Sequence, residues 1–238
     1  MRIRTIFFLI ITLLIVVGCN SEGKGKGKGK GEGKHQNRDT LPSSVTQALS
    51  SEKSTLTQEI KDSITYMYNE EKLAREIYLN LNKIQPAKQL YNIATNSEIK
   101  HEQAVNDLAI KYDLNISFYP DTPEPYDKNA IETYGSGQFS VVDVQELYDM
   151  LYDKGIQSKR DALEVGCMVE VTDIDDLNRY IQEATQSEAE DVLAIFDFLK
   201  EGSYNHYWAF DKELKKSGSD DGCCSLGSEY CHPEYPQK

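Results

Sequence analysis

Several things are scarce in this chain, and each scarcity excludes something. Basic residues are outnumbered: 26 Lys and Arg face 39 Asp and Glu, a formal net charge of −13. Residues 1–40 hold 8 basic and 3 acidic groups, which leaves 18 against 36, or −18, for residues 41–238. Such a surface repels phosphate backbones and attracts cations, so nucleic acid is excluded as a partner. Long apolar runs are missing too. The longest extends from Ile6 to Val17, broken by Thr12, well short of the ~20 residues a membrane-spanning helix needs. No segment sustains period-two alternation, which argues against a sheet. Cys-x-x-Cys spacing does not occur, which argues against a thiolate zinc site. What remains is 39% hydrophobic and 10% aromatic, too apolar for a disordered chain and suited to one soluble globular domain with appendages.

The N-terminus reads as an address. Arg2 and Arg4 precede the apolar run, which ends in Val16-Val17-Gly18-Cys19. This pattern resembles the lipobox of bacterial lipoproteins. The resemblance implies a signal peptide over residues 1–18, cleavage before Cys19, and a lipid-acylated Cys19 that holds the mature protein to a membrane of the cell envelope, outside the cytoplasm. Alternating Gly and Lys from Gly23 to Lys34 cannot bury a core, so residues 19–52 read as a flexible tether. About thirty such residues reach roughly 30 Å as a coil.

The remainder is helical in pattern. Thr55-x-x-Gln58 forms a capping box, followed by Ile60, Ile64, Met67, Glu71, Ala74, Tyr78 and Leu81 at alternating steps of four and three, the period of a bundle seam. A second helix is expected from about Ala87 to Tyr112, with Tyr91, Ala94, Glu98, His101, Val105 and Leu108 on one stripe. Residues 115–138, rich in Pro and Gly, read as a long crossover. Ser140-x-x-Asp143 opens a short helix ending near Gly155; Ser158-x-x-Asp161 and Ser187-x-x-Glu190 open two long ones, and Gly218 ends the last. The expectation is an all-α, four-helix bundle over residues 53–217, its long crossover carrying a short extra helix, and a Cys-containing tail over 218–238.

Ionisable residues interrupt every seam. Burying an unpaired carboxylate is costly, yet Glu71, Glu98 with His101, Glu170 with Asp173, and His206 all fall on apolar stripes. Residues three apart share a helix face, so Glu98-x-x-His101 aims an oxygen and a nitrogen at one point. A captured cation would supply the missing charge. A carboxylate-bridged di-metal bundle calls for one Glu from each of two helices and Glu-x-x-His from each of the other two. Glu71, Glu98, His101, Glu170 and His206 meet five of the six requirements. Ser203 stands where the sixth, a Glu, is expected, and Asp173 is the substitute oxygen ligand. Plainer readings stand beside these: a hydrogen-bonded Glu98–His101 pair, a core histidine at 206, a solvated face for Asp173, and Glu70 rather than Glu71 as the inward acid. Fifteen Tyr, among them Tyr78, Tyr91, Tyr204 and Tyr207 near the seams, are read as packing residues.

The blocks Glu70 to Tyr78, Ile93 to His101, and Gly202 to His206 with Ala209-Phe210 resemble a prokaryotic ferritin-like family catalogued as domain of unknown function 2202. The resemblance spans about residues 55–215 and implies a ferritin-like fold with one or two metal ions and no agreed reaction. The mixed oxygen and imidazole donors suit iron first and manganese second. Such an ion would react with a small-molecule oxidant, dioxygen or peroxide, or accept electrons from a donor. The competing function is a metal-free helical interaction module on the envelope. Of the remaining cysteines, Cys231 with Cys223 or Cys224 would close a small tail loop, and Cys167 reads as a buried apolar group.

Overall fold

The computed structural model describes residues 40–114, 116, 136–139 and 141–237. The signal sequence, Cys19, the Gly/Lys run, most of the crossover and Ser140 lie outside the described residues. Among the described residues every regular element is helical, in keeping with the all-α class, and no helix is long and apolar enough to cross a membrane. In chain order these are α1 (Ser43–Ser50), α2 (Gln58–Ile84), α3 (Lys88–Ile93), a π-turn (Ala94–Glu98), α4 (Ile99–Lys111), α5 (Val142–Gly155), α6 (Lys159–Gln186) and α7 (Glu190–Lys216), followed by two short 3-10 turns.

Residues 43–50, read from the sequence as part of the tether, are a docked helix. Val45 and Ala48, three apart, are buried against residues of α4 and α7. Two buried positions in eight residues leave little periodicity to detect. The start of α2 also differs from expectation. Thr57, not Thr55, is the cap, its hydroxyl accepting from the Ile60 amide. Ser158 caps α6 as expected, accepting from the Asp161 amide at 3.1 Å. Ser187 does not open α7: it closes α6, and the chain reverses through Glu188 at φ 53° into Ala189. Gly218, at φ +95°, ends α7, with its own amide on the Lys215 carbonyl and the Ser219 amide on the Leu214 carbonyl. That pair of bonds needs a left-handed residue, which glycine adopts without strain.

The second long helix is interrupted. The π-turn inserts one residue into it, so the segment ahead of Ala94 is rotated relative to a continuous helix. Tyr91, expected on the buried stripe, is 50% exposed, and Leu90 occupies the core in its place.

Two apolar clusters fill the interior. One gathers Ile60, Ile64, Met67, Leu108, Leu177, Phe196 and Leu199; the other gathers Leu73, Ile77, Tyr78, Leu90, Leu163, Phe210 and Leu214. On α2 and α7 the polar seam residues fall between the two clusters in sequence, so these helices pass from one core to the other through an acid or imidazole; on α6, Glu170 and Asp173 interrupt the second cluster among Val169, Val171 and Ile174. Asp191 ties three segments together at one end. Its carboxylate accepts from Lys111 at 2.6 Å, Tyr112 at 2.5 Å and Ser54 at 2.7 Å. Burial opposes its ionisation, but these donors outweigh burial and hold its pKa below the usual value. A depressed folded-state pKa stabilises above the unfolded value near ~4, and the contribution fades as pH falls through the folded value. Asp191→Asn should therefore cost about 2 kcal/mol at neutral pH. The gap from the parent should close below about pH 4, as read by urea unfolding at a series of pH values.

The tail is stapled rather than free. Cys224 bonds Cys231, closing the small loop, while Cys223 bonds Cys167 on α6. Cys167 is buried as expected but is a disulfide partner, not a lone apolar group. Tyr235 then packs between Tyr204 and Tyr207 of α7.

Candidate metal centre

The polar layer is built from five helical elements. Glu71 comes from α2, Glu98 from the π-turn, His101 from α4, Glu170 and Asp173 from α6, and Ser203 and His206 from α7; all are buried. Glu98 stands at the middle. Its Oε2 lies 2.9 Å from His101 Nδ1, and its Oε1 lies 2.9 Å from His206 Nδ1. The same Nδ1 atom of each imidazole also meets a second acid, Glu71 at 3.2 Å from His101 and Glu170 at 3.4 Å from His206. The result is an ordered row, Glu71–His101–Glu98–His206–Glu170. The two rings lie 5.4 Å apart at 30°. Glu98, His101 and His206 each offer a ligand atom within 4.8 Å of the other two.

Side chains around the row hold it in place. The Tyr78 hydroxyl donates to Glu170 Oε1 at 2.5 Å. His206 Nε2 meets the Ser97 hydroxyl at 2.7 Å. Neither contact was assigned from sequence. Tyr78 sits on the α2 stripe two turns after Glu71, the signal that could have found it; Ser97 carries no such signal, because its direction depends on the π-turn. Asp173 is only 8% exposed, which corrects the solvated-face reading. It does not contact the imidazoles; it accepts a hydrogen bond from the Ser203 hydroxyl. Ser203 thus partners an acid at the position where a Glu was expected. Glu70 is buried as well but turned elsewhere, toward Asp176 and Asp173. Tyr204 and Tyr207 pack against the tail and Tyr91 faces solvent, so none of these three joins the row.

The electrostatics are those of crowded acids short of positive charge. Burial pushes Glu71 and Glu170 up to about 7 despite the adjacent imidazoles. Burial also raises Asp173, with Glu71 adding to the effect, and it lifts Tyr78, with Glu170 adding to that. Glu98 goes the other way. Burial opposes its ionisation, but His206 and His101 hold it well below the carboxylate range. Burial likewise disfavours both imidazolium forms, yet Glu71 and Glu98 keep the His101 pKa high, and Glu98 and Glu170 raise His206 to about 10.

Three atoms in this layer are buried without a hydrogen bond: Glu71 Oε1, Glu98 Oε1 and His206 Nδ1. Glu98 Oε1 and His206 Nδ1 are close in distance yet misaligned for bonding to each other. Buried polar atoms are ordinarily satisfied. Unsatisfied carboxylate and imidazole atoms gathered in one buried layer are donors suited to a borderline transition-metal ion. The residues present fit such an ion.

Fold and site together define a helical protein with a buried Glu/His cluster assembled across its bundle of helices. Residues 60–229 match the family described as Uncharacterized protein domain (DUF2202). The chain belongs to that family. It is 34% identical over 168 residues to the uncharacterized protein MJ0754 of Methanocaldococcus jannaschii, covering 71% of this chain and 82% of the relative. Among solved structures it is similar to the crystal structure of hypothetical protein MJ0754 from Methanococcus jannaschii, with TM-score 0.60 and 36% identity over 71% of this chain and 87% of that one.

Proposed function

We propose that this protein binds one or two transition-metal ions, iron first and manganese second, within a ferritin-like bundle. The observation that carries this reading is the row centred on Glu98, which offers one oxygen to each of two imidazoles, each flanked by a further acid. In this reading Glu98 would be the central ligand, with nitrogen from His101 and His206 and further carboxylate oxygen from Glu71 and Glu170. Asp173 is set back by its bond to Ser203 and orients the α6–α7 wall. A bound ion would supply Lewis acidity and a one-electron couple for reaction with dioxygen, peroxide or an electron donor, a step that rests on fold analogy. Tyr78 and Ser97 would fix the orientation of Glu170 and His206, the part that outer hydrogen-bond partners play around metal ligands. The lipobox pattern supports attachment through acylated Cys19 to a membrane of the cell envelope.

Metal analysis of the chain purified without chelators tests this directly. One or two ions per chain are expected. Anaerobic Fe(II) or Mn(II) at about a hundred times its dissociation constant should stabilise the metal-free protein by about 2.7 kcal/mol, raising its melting temperature by roughly 5–10 °C. A chain holding no stoichiometric metal and gaining no thermal stability from either ion would leave the envelope interaction module as the surviving function.

A further inference from the structure

We propose that a cleft bounded by α1, the π-turn and the middle of α7 captures a hydrated divalent cation on its way to the buried centre. This rests on the metal-binding reading above. The cleft has a volume of about 530 Å³, and its lining includes Ser97, His101, Asp197, Glu201, Gly202 and Asn205. It reaches an edge of the otherwise enclosed row. A Cβ at position 202 would lie 2.2 Å from His101 Nε2, so only glycine leaves that ring edge uncovered. His101 is 2% exposed. Its Nδ1 is committed to Glu71 and Glu98, while Nε2 has no hydrogen-bond partner among the described residues. The second imidazole reaches the same cleft through Ser97, whose hydroxyl meets His206 Nε2.

The lining has the chemistry of cation capture. Asp197 and Glu201 stand one turn apart on α7, both exposed. Asn205, a turn further, donates its amide N–H to the Glu201 carbonyl at 2.7 Å, which leaves its side-chain oxygen as an acceptor. Lys200 pairs with Asp197 at 3.7 Å, one cation against the two acids. Carboxylate, hydroxyl and amide oxygens suit a hydrated ion, and the His101 ring edge at the floor is where the cleft meets the row. The larger cleft at the end of α7, lined by Lys212, Lys215 and Lys216, carries the opposite charge and would repel the same ion.

The test uses Mn(II) and the metal-free chain, following loss of the free-ion EPR signal after rapid mixing. Asp197→Asn with Glu201→Gln removes the charges, and Ala194→Trp, at a position that also lines the cleft, plugs it without changing charge. The first should slow uptake about tenfold at low ionic strength, the gap narrowing as salt screens the mouth. The second should slow uptake at every ionic strength. In both, the final number of bound ions and the metal-free melting temperature should match the parent. If Ala194→Trp does not fold, the charge variant at exposed positions decides alone. Uptake at the parent rate overturns the cleft and leaves the centre intact. A parent that takes up no Mn(II) overturns both.

Discussion

Glu98→Gln is expected to abolish stoichiometric metal uptake and to weaken the metal-free protein by about 3–5 kcal/mol. The two effects have separate causes. Glu98 is the one acid that both imidazoles share, so its loss leaves two buried imidazolium groups with half their compensation. Glu71 and Glu170 differ because burial has raised each to about 7. At neutral pH each is already partly protonated without metal, and Gln mimics the protonated carboxyl. Glu71→Gln or Glu170→Gln should change metal-free stability by less than about 1 kcal/mol, the worth of one ordinary hydrogen bond, while weakening metal binding strongly. Urea unfolding in chelator-treated buffer, paired with calorimetric titration of Mn(II), separates these patterns. Equal losses of metal-free stability at 71, 98 and 170 would contradict the central role of Glu98.

Arg75→Leu should be the most damaging substitution away from the centre. Arg75 is 1% exposed, and its Nε donates to Glu102 Oε2 at 2.6 Å, with Glu76 Oε1 3.3 Å from a terminal nitrogen. Glu76 in turn accepts from the Gly137 amide at 2.6 Å and the Ser136 hydroxyl at 3.1 Å. Deleting the guanidinium strands the buried Glu102 carboxylate and takes one of several donors from Glu76, a loss of about 3–5 kcal/mol. For a chain of this size that is a fall of roughly 10 °C or more in melting temperature. Adding Glu102→Leu should restore part of the loss, since an apolar pair can replace a buried ion pair with little penalty. Thermal unfolding followed by circular dichroism gives both values, and a single variant within 1 °C of the parent would show that the pair contributes little.

What the sequence discloses about this protein is what is local. Steps of three and four along α2, α6 and α7 belong to single helices, so Glu71, Glu170 and His206 could be aligned with their apolar neighbours before any packing was known. Glu98 and His101 were legible for the same reason: the turn of helix between them is short. Tyr91 was misplaced because the π-turn lies between it and Glu98, and one extra residue there has no signature in composition. The Cys167–Cys223 bond joins residues 56 apart in sequence, and no periodicity connects them. Asp173 looked solvated because Asp175 and Asp176 follow it; its burial depends on Ser203 from another helix. Thr57 displaced Thr55 as a cap because either hydroxyl could serve, and the pattern of the sequence does not choose between them.

The π-turn sets durability against chemistry. A regular helix from Lys88 to Lys111 would keep every 1–5 amide bond and would be the sturdier rod. Deleting one residue between Ala94 and Ser97 would rotate everything upstream by about 100° relative to Glu98 and His101, forcing a choice between seating Leu90 and seating the ligands. Selection for heat tolerance alone would favour erasing the irregularity, and lineages that kept it under such pressure would betray a continuing need for what Glu98 and His101 hold between them.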